Sequence, residues 1–254
     1  MIFSIITTVL NDEKFVLQCL NSFKNQNINK KLVEHIVIDG GSTDKTVSII
    51  KNFKKKNKGI KFFSKKSSIY EGINYGIKKS KGKIIGILHS DDMYSNNNVL
   101  SFVKNQFDKN NQVDAIYSNI KIVKKNNKNK ILRYFKSKQL NYEDYLKCDH
   151  PPHTSLFLRR KVFKKHGCYN KKFKIASDFE FMLRVLGINR LQSKYLDKTF
   201  IIMRSGGTST ESFKNILLSN YEVYQSFKKN NLKINIIYIF IKIFKKIFQL
   251  KLLN

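Results

Sequence analysis

The chain has 254 residues, of which 41% are hydrophobic, enough for one large or two small globular domains with a buried core. Its formal charge of +31 comes from 49 Lys and Arg against 18 Asp and Glu. The lysines are spread along the chain without a helix-turn-helix, zinc-finger or aromatic RNA-binding motif, which argues against a nucleic-acid partner. An anionic substrate or an anionic membrane surface explains the charge better.

The cysteines and the first residues bear on the cellular compartment. Cys19, Cys148 and Cys168 have no metal-ligand spacing and cannot all pair, which predicts a reduced compartment without a disulfide framework. The sequence starts on an apolar run with no basic segment before it. We therefore expect a first strand instead of a signal peptide, and a cytoplasmic protein.

Strand-like and helix-like patterns alternate through the first half of the chain, which predicts βαβ units and a parallel sheet. The predicted strands cover residues 2–10, 34–39, 60–63 and 84–88. One helix is predicted after Asn11-Asp12, which we expect as its N-cap. Further helices are predicted at about residues 45–53, 69–79 and 98–107. Residues 114–118 and 121–125 are expected to add a pair of strands, and the lysine-rich run 124–130 a loop or hairpin tip.

The alternation weakens beyond residue 140. Pro151-Pro152 break the chain before a strand-like stretch at 155–158. A helix is predicted at 177–187, and its start reads as a capping box in which Ser177 and Glu180 satisfy free backbone N–H groups.

The last segment, residues 235–250, has a basic amphipathic pattern. Its apolar run at 236–241 is too short to span a bilayer. The segment either lies in a membrane interface as an amphipathic helix or docks on the protein's own core, and its lysines fit the first interpretation better.

Two adjacent carboxylates, Asp91 and Asp92, follow the apolar strand predicted at 84–88. Open α/β sheets bind ligands at the carboxyl ends of such strands. Ser90-Asp91-Asp92 is also a good helix start, so this stretch alone leaves a ligand site and a helix cap open.

Five motifs in one order resemble the family 2 glycosyltransferases, which are nucleotide-sugar-dependent enzymes of the GT-A fold. They are TTVLND (7–12), VIDGGSTDKT (37–46), IYEGINYGI (69–77), GKIIGILHSDD (82–92) and ASDFEFMLR (176–184). The resemblance covers about residues 1–210 and is nearest to bacterial enzymes of surface polysaccharide and lipopolysaccharide assembly. It implies an α/β, Rossmann-like, mostly parallel sheet flanked by helices, with a nucleotide-binding half at 1–120, an acceptor half at 121–210 and a helical tail at 211–254.

The resemblance also implies roles for the acids. Asp92 would bind a divalent cation, Mn²⁺ or Mg²⁺, with Asp91 beside it contacting the nucleotide ribose. Asp39 would hydrogen-bond the nucleobase, although a turn acid would look the same. Asp178 would be the catalytic base, and an acid favoured by the helix N-terminus is compatible with that role.

Three further residues match positions that contact the nucleotide in the family. Thr7 and Thr8 would line the pocket, unless they are ordinary strand residues facing the core. Asn74 would contact the nucleotide, unless it is a plain helix-surface residue. The sequence departs from the family pattern at Lys65-Lys66-Ser67-Ser68, where relatives often have an acid, and at His89 and Leu10.

The sequence thus predicts an inverting, metal-dependent glycosyltransferase. Its donor would be a nucleotide sugar, a UDP-sugar first, and its acceptor a glycan or lipid-linked glycan. His150 and His153 would lie near that acceptor, and the enzyme would sit on the inner face of the cytoplasmic membrane. A nucleotidyltransferase and a non-catalytic basic protein that binds membrane or nucleic acid are the alternatives.

Overall fold

The computed structural model describes residues 1–207, 212–241 and 243. The strands are β1 Phe3–Val9, β2 Val33–Asp39, β3 Ile60–Ser64, β4 Ile84–Ile87, β5 Met93–Tyr94, β6 Ala115–Lys124, β7 Asn127–Phe135, β8 Phe157–Arg159 and β9 Ser193–Arg204. The labelled helices are α1 Val16–Lys24, α2 Thr46–Lys56, α3 Ile69–Lys79, α4 Val99–Lys109, α5 Tyr142–Leu146, α6 Arg160–His166, α7 Ser177–Met182 and α8 Phe213–Lys229. A π-helical turn, Leu183–Ile188, continues α7.

All nine strands join one sheet in the order β3-β2-β1-β4-β8-β6-β9-β5, with β7 paired to β6. The first four strands are parallel. Beyond them β8 is antiparallel to both neighbours, whereas β6 and β9 run parallel. Val9 pairs with Asp39, and Ile6 pairs with Ile87. The carboxyl ends of β1, β2 and β4 therefore meet at one edge, which is where the predicted acids lie.

Helices cover both faces of this sheet, which explains why β1 and β2 are buried along their whole length. On one face, α3, α7 and α8 pack over Ile6 and Ile36. On the other face, α1 and α4 pack over Phe3 and Ile5. The arrangement confirms the predicted α/β architecture of a sheet between helical layers.

Two glycines let α3 approach β1 closely. A Cβ at Gly76 would lie 2.5 Å from Cγ2 of Ile6, and one at Gly72 would lie 2.7 Å from Cγ2 of Thr8. Contacts this short would push the helix away from the strand. The close packing places the start of α3 beside the carboxyl end of β1.

Three local predictions were wrong in detail. Residues 115–124 form the single strand β6 and not a pair of strands. The lysine-rich run contains the tip of the hairpin between β6 and β7, as predicted, and also the first residues of β7. Asn11 does not cap α1, since its backbone is left-handed, with φ of 49°, and its side chain accepts a bond from the Thr43 N–H. Asp12 accepts a bond from the backbone of Phe15, in a turn that precedes the helix, which begins at Val16. The third, at Ser177, concerns the site and is described there.

The C-terminal segment is helical at residues 236–241. Ile239 is buried in the core that contains α8, with Tyr238 and Ile243 partly buried against it. The other apolar side chains of the segment, Ile236, Ile237, Phe240 and Ile241, are 43–64% exposed. One side of the segment thus docks on the protein while another apolar side faces solvent. No helix within the described ranges is long and apolar enough to cross a membrane.

The rest of the predicted tail helix lies outside the described residues. This applies to Lys242 and to everything from residue 244 onward. The tail's membrane contact therefore stays a prediction.

Candidate active site

Asp92 is a deeply buried acid at the carboxyl edge of the sheet. It is 1% exposed, as is Asp39, and its Oδ1 accepts a bond from the Arg204 N–H at 3.3 Å. Its Oδ2 is buried and has no hydrogen-bond partner among the described residues. Burial, and then the neighbouring charge of Asp91, raise the pKa of Asp92 well above its ordinary value. A cation next to Oδ2 would offset both the cost of burying the carboxylate charge and its repulsion by Asp91. This carboxylate therefore fits a metal ligand.

The remaining acids at this edge supply negative charge but no complete metal cage. Asp91 is half-buried, and Asp12 lies close enough that its charge raises the pKa of Asp92 further. Burial also raises the pKa of Asp12. Within the described ranges, no group of three or more His, Cys, Asp or Glu side chains could hold a metal ion. Mg²⁺ and Mn²⁺ sites with one or two carboxylates take their other ligands from phosphate oxygens and water.

Arg204, at the end of β9, donates its backbone N–H to Asp92 and was not among the predicted site residues. Its side chain donates to the carbonyl of Lys125 at 2.6 Å and to the side chain of Gln18. Its guanidinium lies 4.2 Å from the ring centroid of Phe15. Arg204 is 5% exposed, and its positive charge lowers the pKa of Asp92 against the effect of burial. No local pattern identifies it, since its partners lie far away in the sequence.

Asp39 ends β2 and holds the turn that follows it. Its carboxylate accepts bonds from the N–H groups of Gly41 and Ser42 and from the hydroxyl of Ser64, at 3.1–3.2 Å. The turn-acid interpretation thus describes its contacts. Because the turn lies at the same edge as Asp92, a role toward the nucleobase stays a compatible prediction.

The two threonines of β1 have different environments. Thr7 is fully buried, and its hydroxyl donates to the carbonyl of Leu88 at 2.6 Å and lies 2.8 Å from Nε2 of His35. It faces the core, as the alternative interpretation has it. Thr8 is 8% exposed, and its Oγ1 finds no hydrogen-bond partner in the part of the chain that the structure describes. Of the two, Thr8 has the hydroxyl left for a ligand.

Asn74 joins α3 to a distant loop. Its Nδ2 donates to the carbonyl of Tyr169 at 2.8 Å, and its Oδ1 accepts from the Tyr169 N–H at 3.0 Å. Both ends of the amide are therefore used within the protein. A nucleotide contact through Asn74 stays a prediction and would have to share these bonds.

Asp178 lies in the first turn of α7, half-buried. Its Oδ1 accepts from the Phe179 N–H at 2.8 Å and is 3.4 Å from the hydroxyl of Tyr70. Burial lowers the pKa of His89, while the charges of Asp91 and Asp178 both oppose that shift. Both acids therefore lie within electrostatic reach of the same imidazole.

His153 completes this group. Its ring centroid is 5.9 Å from that of His89, and its Nε2 is 2.8 Å from the hydroxyl of Tyr169. Burial lowers the pKa of His153 to about 4, so the ring is neutral at pH 7. The charge of Asp178 opposes this shift, so His153 lies within electrostatic reach of Asp178. Its place near the acceptor stays a prediction.

The predicted capping box at the start of α7 does not form. Glu180 is fully buried and pairs with Arg184 at 2.9 Å instead of reaching back to the helix start. The hydroxyl of Ser177 has no hydrogen-bond partner among the residues that the structure describes. The N–H groups before the helix donate instead to Glu222 of α8.

The chain is similar to known glycosyltransferases in sequence and in fold. Residues 4–167 match the family described as Glycosyl transferase family 2. A PGL/p-HBAD biosynthesis glycosyltransferase of Mycobacterium bovis is 26% identical over 200 residues, which cover 76% of this chain and 73% of that protein. A dolichyl N-acetyl-alpha-D-glucosaminyl phosphate 3-beta-D-2,3-diacetamido-2,3-dideoxy-beta-D-glucuronosyltransferase of Methanococcus voltae is 39% identical over 83 residues, 31% of this chain and only 26% of that relative.

Two solved structures share the fold. S. aureus TarS 1–349 in complex with UDP-GlcNAc has a TM-score of 0.71 at 19% identity, over 98% of this chain and 72% of TarS 1–349. The mannosyltransferase PcManGT of Pyrobaculum calidifontis, in complex with GDP-Man and Mn²⁺, has a TM-score of 0.66 at 12% identity, over 99% of this chain and 72% of that protein. The TM-scores establish a common architecture of the three chains, and at identities this low the likeness is one of fold alone.

Proposed function

The chain belongs to glycosyl transferase family 2, and on this premise we propose that it moves one sugar from a UDP-sugar to a glycan or lipid-linked glycan acceptor, with inversion and with the help of Mn²⁺ or Mg²⁺. Family membership favours this function over a nucleotidyltransferase and over a non-catalytic basic protein. The observation that carries the metal-dependent part is the buried Oδ2 of Asp92 without a hydrogen-bond partner in the described structure.

The donor would bind along the edge formed by the carboxyl ends of β1, β2 and β4. Asp39 and Thr8 would face the nucleoside, and Asp91 the ribose. Asp92, with Asp91, would hold the cation, which supplies Lewis-acid stabilisation of the departing diphosphate. The overall positive charge of the chain, +31, favours the approach of such an anionic donor.

Asp178 would act on the acceptor. As the acceptor oxygen forms its bond to the anomeric carbon, Asp178 takes the proton of that hydroxyl. The bond from the anomeric carbon to the diphosphate oxygen breaks, and the diphosphate leaves with the electron pair. Attack opposite the leaving group inverts the configuration in a single displacement. His153, held neutral by burial, would hydrogen-bond the acceptor without competing for its proton.

Names of related proteins support the choice of donor and acceptor. TarS was solved with UDP-GlcNAc, and PcManGT with GDP-Man and Mn²⁺. The Methanococcus voltae relative is named for a dolichyl-linked sugar phosphate, which is a lipid-linked acceptor. The mycobacterial relative is named for PGL/p-HBAD biosynthesis. A UDP-sugar and a lipid-linked acceptor are the corresponding proposals here, in cell-surface polysaccharide or lipopolysaccharide assembly.

The same proposal includes peripheral attachment to the inner face of the cytoplasmic membrane. Besides the exposed apolar side of residues 236–241, α8 carries exposed apolar side chains at helical spacing: Phe213, Leu217, Tyr221 and Tyr224. Glu222 is the one acid of residues 212–254, and their lysines are Lys214, Lys228, Lys229, Lys233, Lys242, Lys245, Lys246 and Lys251. Aromatic and apolar side chains interspersed with lysines suit an anionic membrane surface.

A donor screen tests the function. The full chain is incubated with a panel of UDP- and GDP-sugars, with Mn²⁺ or Mg²⁺, and release of the nucleoside diphosphate is measured with and without EDTA. We expect release from at least one UDP-sugar and loss of that release with EDTA. Release from GDP-sugars alone would refute the UDP assignment, and release that EDTA leaves unchanged would refute metal dependence.

A further inference from the structure

Glu222 binds the backbone just before α7, although it lies on α8. Its side chain is buried, and its two carboxylate oxygens accept three consecutive backbone N–H groups: those of Lys174 at 2.6 Å, Ile175 at 2.8 Å and Ala176 at 2.7 Å. The partners are 46 to 48 residues apart in the sequence. Hydrogen bonds from N–H groups to a carboxylate are about twice as strong as bonds between neutral groups.

The other side of the same segment is also held. The carbonyl of Ile175 accepts a bond from the hydroxyl of Tyr70 at 2.5 Å, and the same hydroxyl lies 3.4 Å from Oδ1 of Asp178. Residues 174–176 are therefore fixed through their N–H groups by α8 and through a carbonyl by α3. Asp178 follows Ala176 by two residues, so its backbone position depends on both anchors.

The start of α7 is held in this way and not by the capping box that the sequence predicted. The N–H groups at a helix start need acceptors, and an N-cap side chain usually supplies one. Here the hydroxyl of Ser177 does not, within the described structure, and Glu180 is paired with Arg184. A carboxylate from another helix holds the three N–H groups just before α7, and it links the position of Asp178 to the packing of α8.

We propose that Glu222 is a positioning residue for the transfer reaction, which holds Asp178 at the distance from the acceptor hydroxyl that proton transfer requires. The inference rests on the proposed role of Asp178 as base. Glu222 does not touch the substrates and acts through the backbone of residues 174–176. A shift of about 1 Å in a reacting group can lower the rate about 100-fold. The proposed donor contacts lie at the carboxyl ends of β1, β2 and β4, away from Glu222, so donor binding should not change.

The decisive variant is Glu222→Gln, in which an NH₂ group that cannot accept replaces one carboxylate oxygen. We expect kcat to fall about 10- to 100-fold on the UDP-sugar that the wild type uses, with KM for that donor within about twofold. Val223→Ala is the matched control. Val223 is a fully buried neighbour on α8, and its truncation weakens the packing of that helix without touching the three N–H groups. It should lower Tm and leave kcat within about threefold.

Two further measurements separate positioning from mere stabilisation. In an Asp178→Asn background, adding Glu222→Gln should cause no additional loss of kcat, because both changes act through the same group. Amide hydrogen exchange of Ile175 and Ala176 should be faster in Glu222→Gln than in Val223→Ala. If Glu222→Gln does not fold, Glu222→Asp replaces it in each experiment, since it keeps the charge and shortens the reach by one methylene.

The outcomes distinguish this inference from the proposed function. A wild type that releases no nucleoside diphosphate from any donor overturns the proposed function, and the inference with it. An active wild type whose Glu222→Gln variant keeps wild-type kcat overturns the inference alone. A full additional loss in the Asp178→Asn background, or exchange at residues 174–176 equal to that of Val223→Ala, also overturns it.

Discussion

Replacing Asp92 by Asn should make the metal-free protein more stable and at the same time insensitive to Mn²⁺. The Oδ1 of an asparagine can still accept the bond from the Arg204 N–H, so the local geometry is kept. What disappears is a buried negative charge whose second oxygen has no hydrogen-bond partner within the described structure. Burial and the charge of Asp91 disfavour that ionised form, as the raised pKa of Asp92 shows.

The size of the gain follows from the loss of the buried charge. Leaving a neutral buried polar group unsatisfied costs about 1–3 kcal/mol and a charged one more; the asparagine amide keeps only the neutral cost, so the free energy of unfolding should rise by about 1 kcal/mol or more. For a chain of this length, each kcal/mol raises Tm by about 2–4 °C. Thermal unfolding with EDTA and with Mn²⁺ plus UDP measures both parts of the prediction. Asp91→Asn, at a half-buried position, is the matched control and should raise Tm less.

A lower Tm for Asp92→Asn in EDTA would refute the idea that this carboxylate is strained without a cation. A rise in Tm with Mn²⁺ and UDP equal to that of the wild type would show that the cation binds elsewhere. The combination of higher stability and lost activity is the usual signature of a residue kept for function.

Three further predictions concern the base, the core and the surface. Asp178→Asn should bind UDP with Mn²⁺ as tightly as the wild type by calorimetry but lose about 10²- to 10⁴-fold in kcat, whereas a loss of UDP binding would place Asp178 in the nucleotide pocket. Burial lowers the pKa of His35 to about 3, so below its unfolded value of 6.5 only the unfolded chain binds the proton. This group should therefore lower the free energy of unfolding by about 1.4 kcal/mol as the pH falls from 6 to 5. Urea titrations at the two pH values should show a smaller decrease for His35→Gln than for the wild type. An equal decrease would contradict the low pKa of His35. Tyr221→Ser with Phe240→Ser should weaken flotation with anionic lipid vesicles, while Tyr134→Ser, equally exposed on β7, should not; equal flotation of all three proteins would count against the proposed membrane face.

The parallel half of the sheet could be predicted from the sequence because its signals are local. An apolar run such as Ile84–Ile87, buried on both faces, is recognisable without knowledge of its neighbours. The rule that ligands bind at the carboxyl ends of parallel strands then places Asp39 and Asp92 at one edge, as the structure has them. The assignment of Asp178 needed the family resemblance, because its pocket is assembled by distant elements.

The residues that support the site could not be predicted, because their partners are remote. Arg204 contacts Asp92 across 112 positions of sequence, and Glu222 reaches the start of α7 across 46 to 48. Such pairs leave no periodicity and no spacing that a sequence pattern can reveal. They become visible only when the sheet order and the packing of α8 are known.

Two helix starts with the pattern Ser-x-x-Glu show how context decides between equal local signals. Ser68 and Glu71 share the spacing of Ser177 and Glu180, and at the exposed start of α3 the box forms, with the Ser68 N–H donating to Glu71 at 2.9 Å. Glu180 is fully buried, where an unpaired charge would be costly, so it pairs with Arg184. A burial difference that the local sequence does not encode thus reverses the outcome.

The proposed reaction is a single displacement at the anomeric carbon, with Asp178 as the base. It can be tested without knowing the acceptor, by letting the wild type and Mn²⁺ hydrolyse a UDP-α-sugar that the donor screen identifies, and by recording the released sugar by NMR before its anomers interconvert. We expect the β anomer to appear first and the Asp178→Asn variant not to form it. Initial release of the α anomer would contradict a single inverting displacement, and undiminished β release by the variant would contradict the role of Asp178.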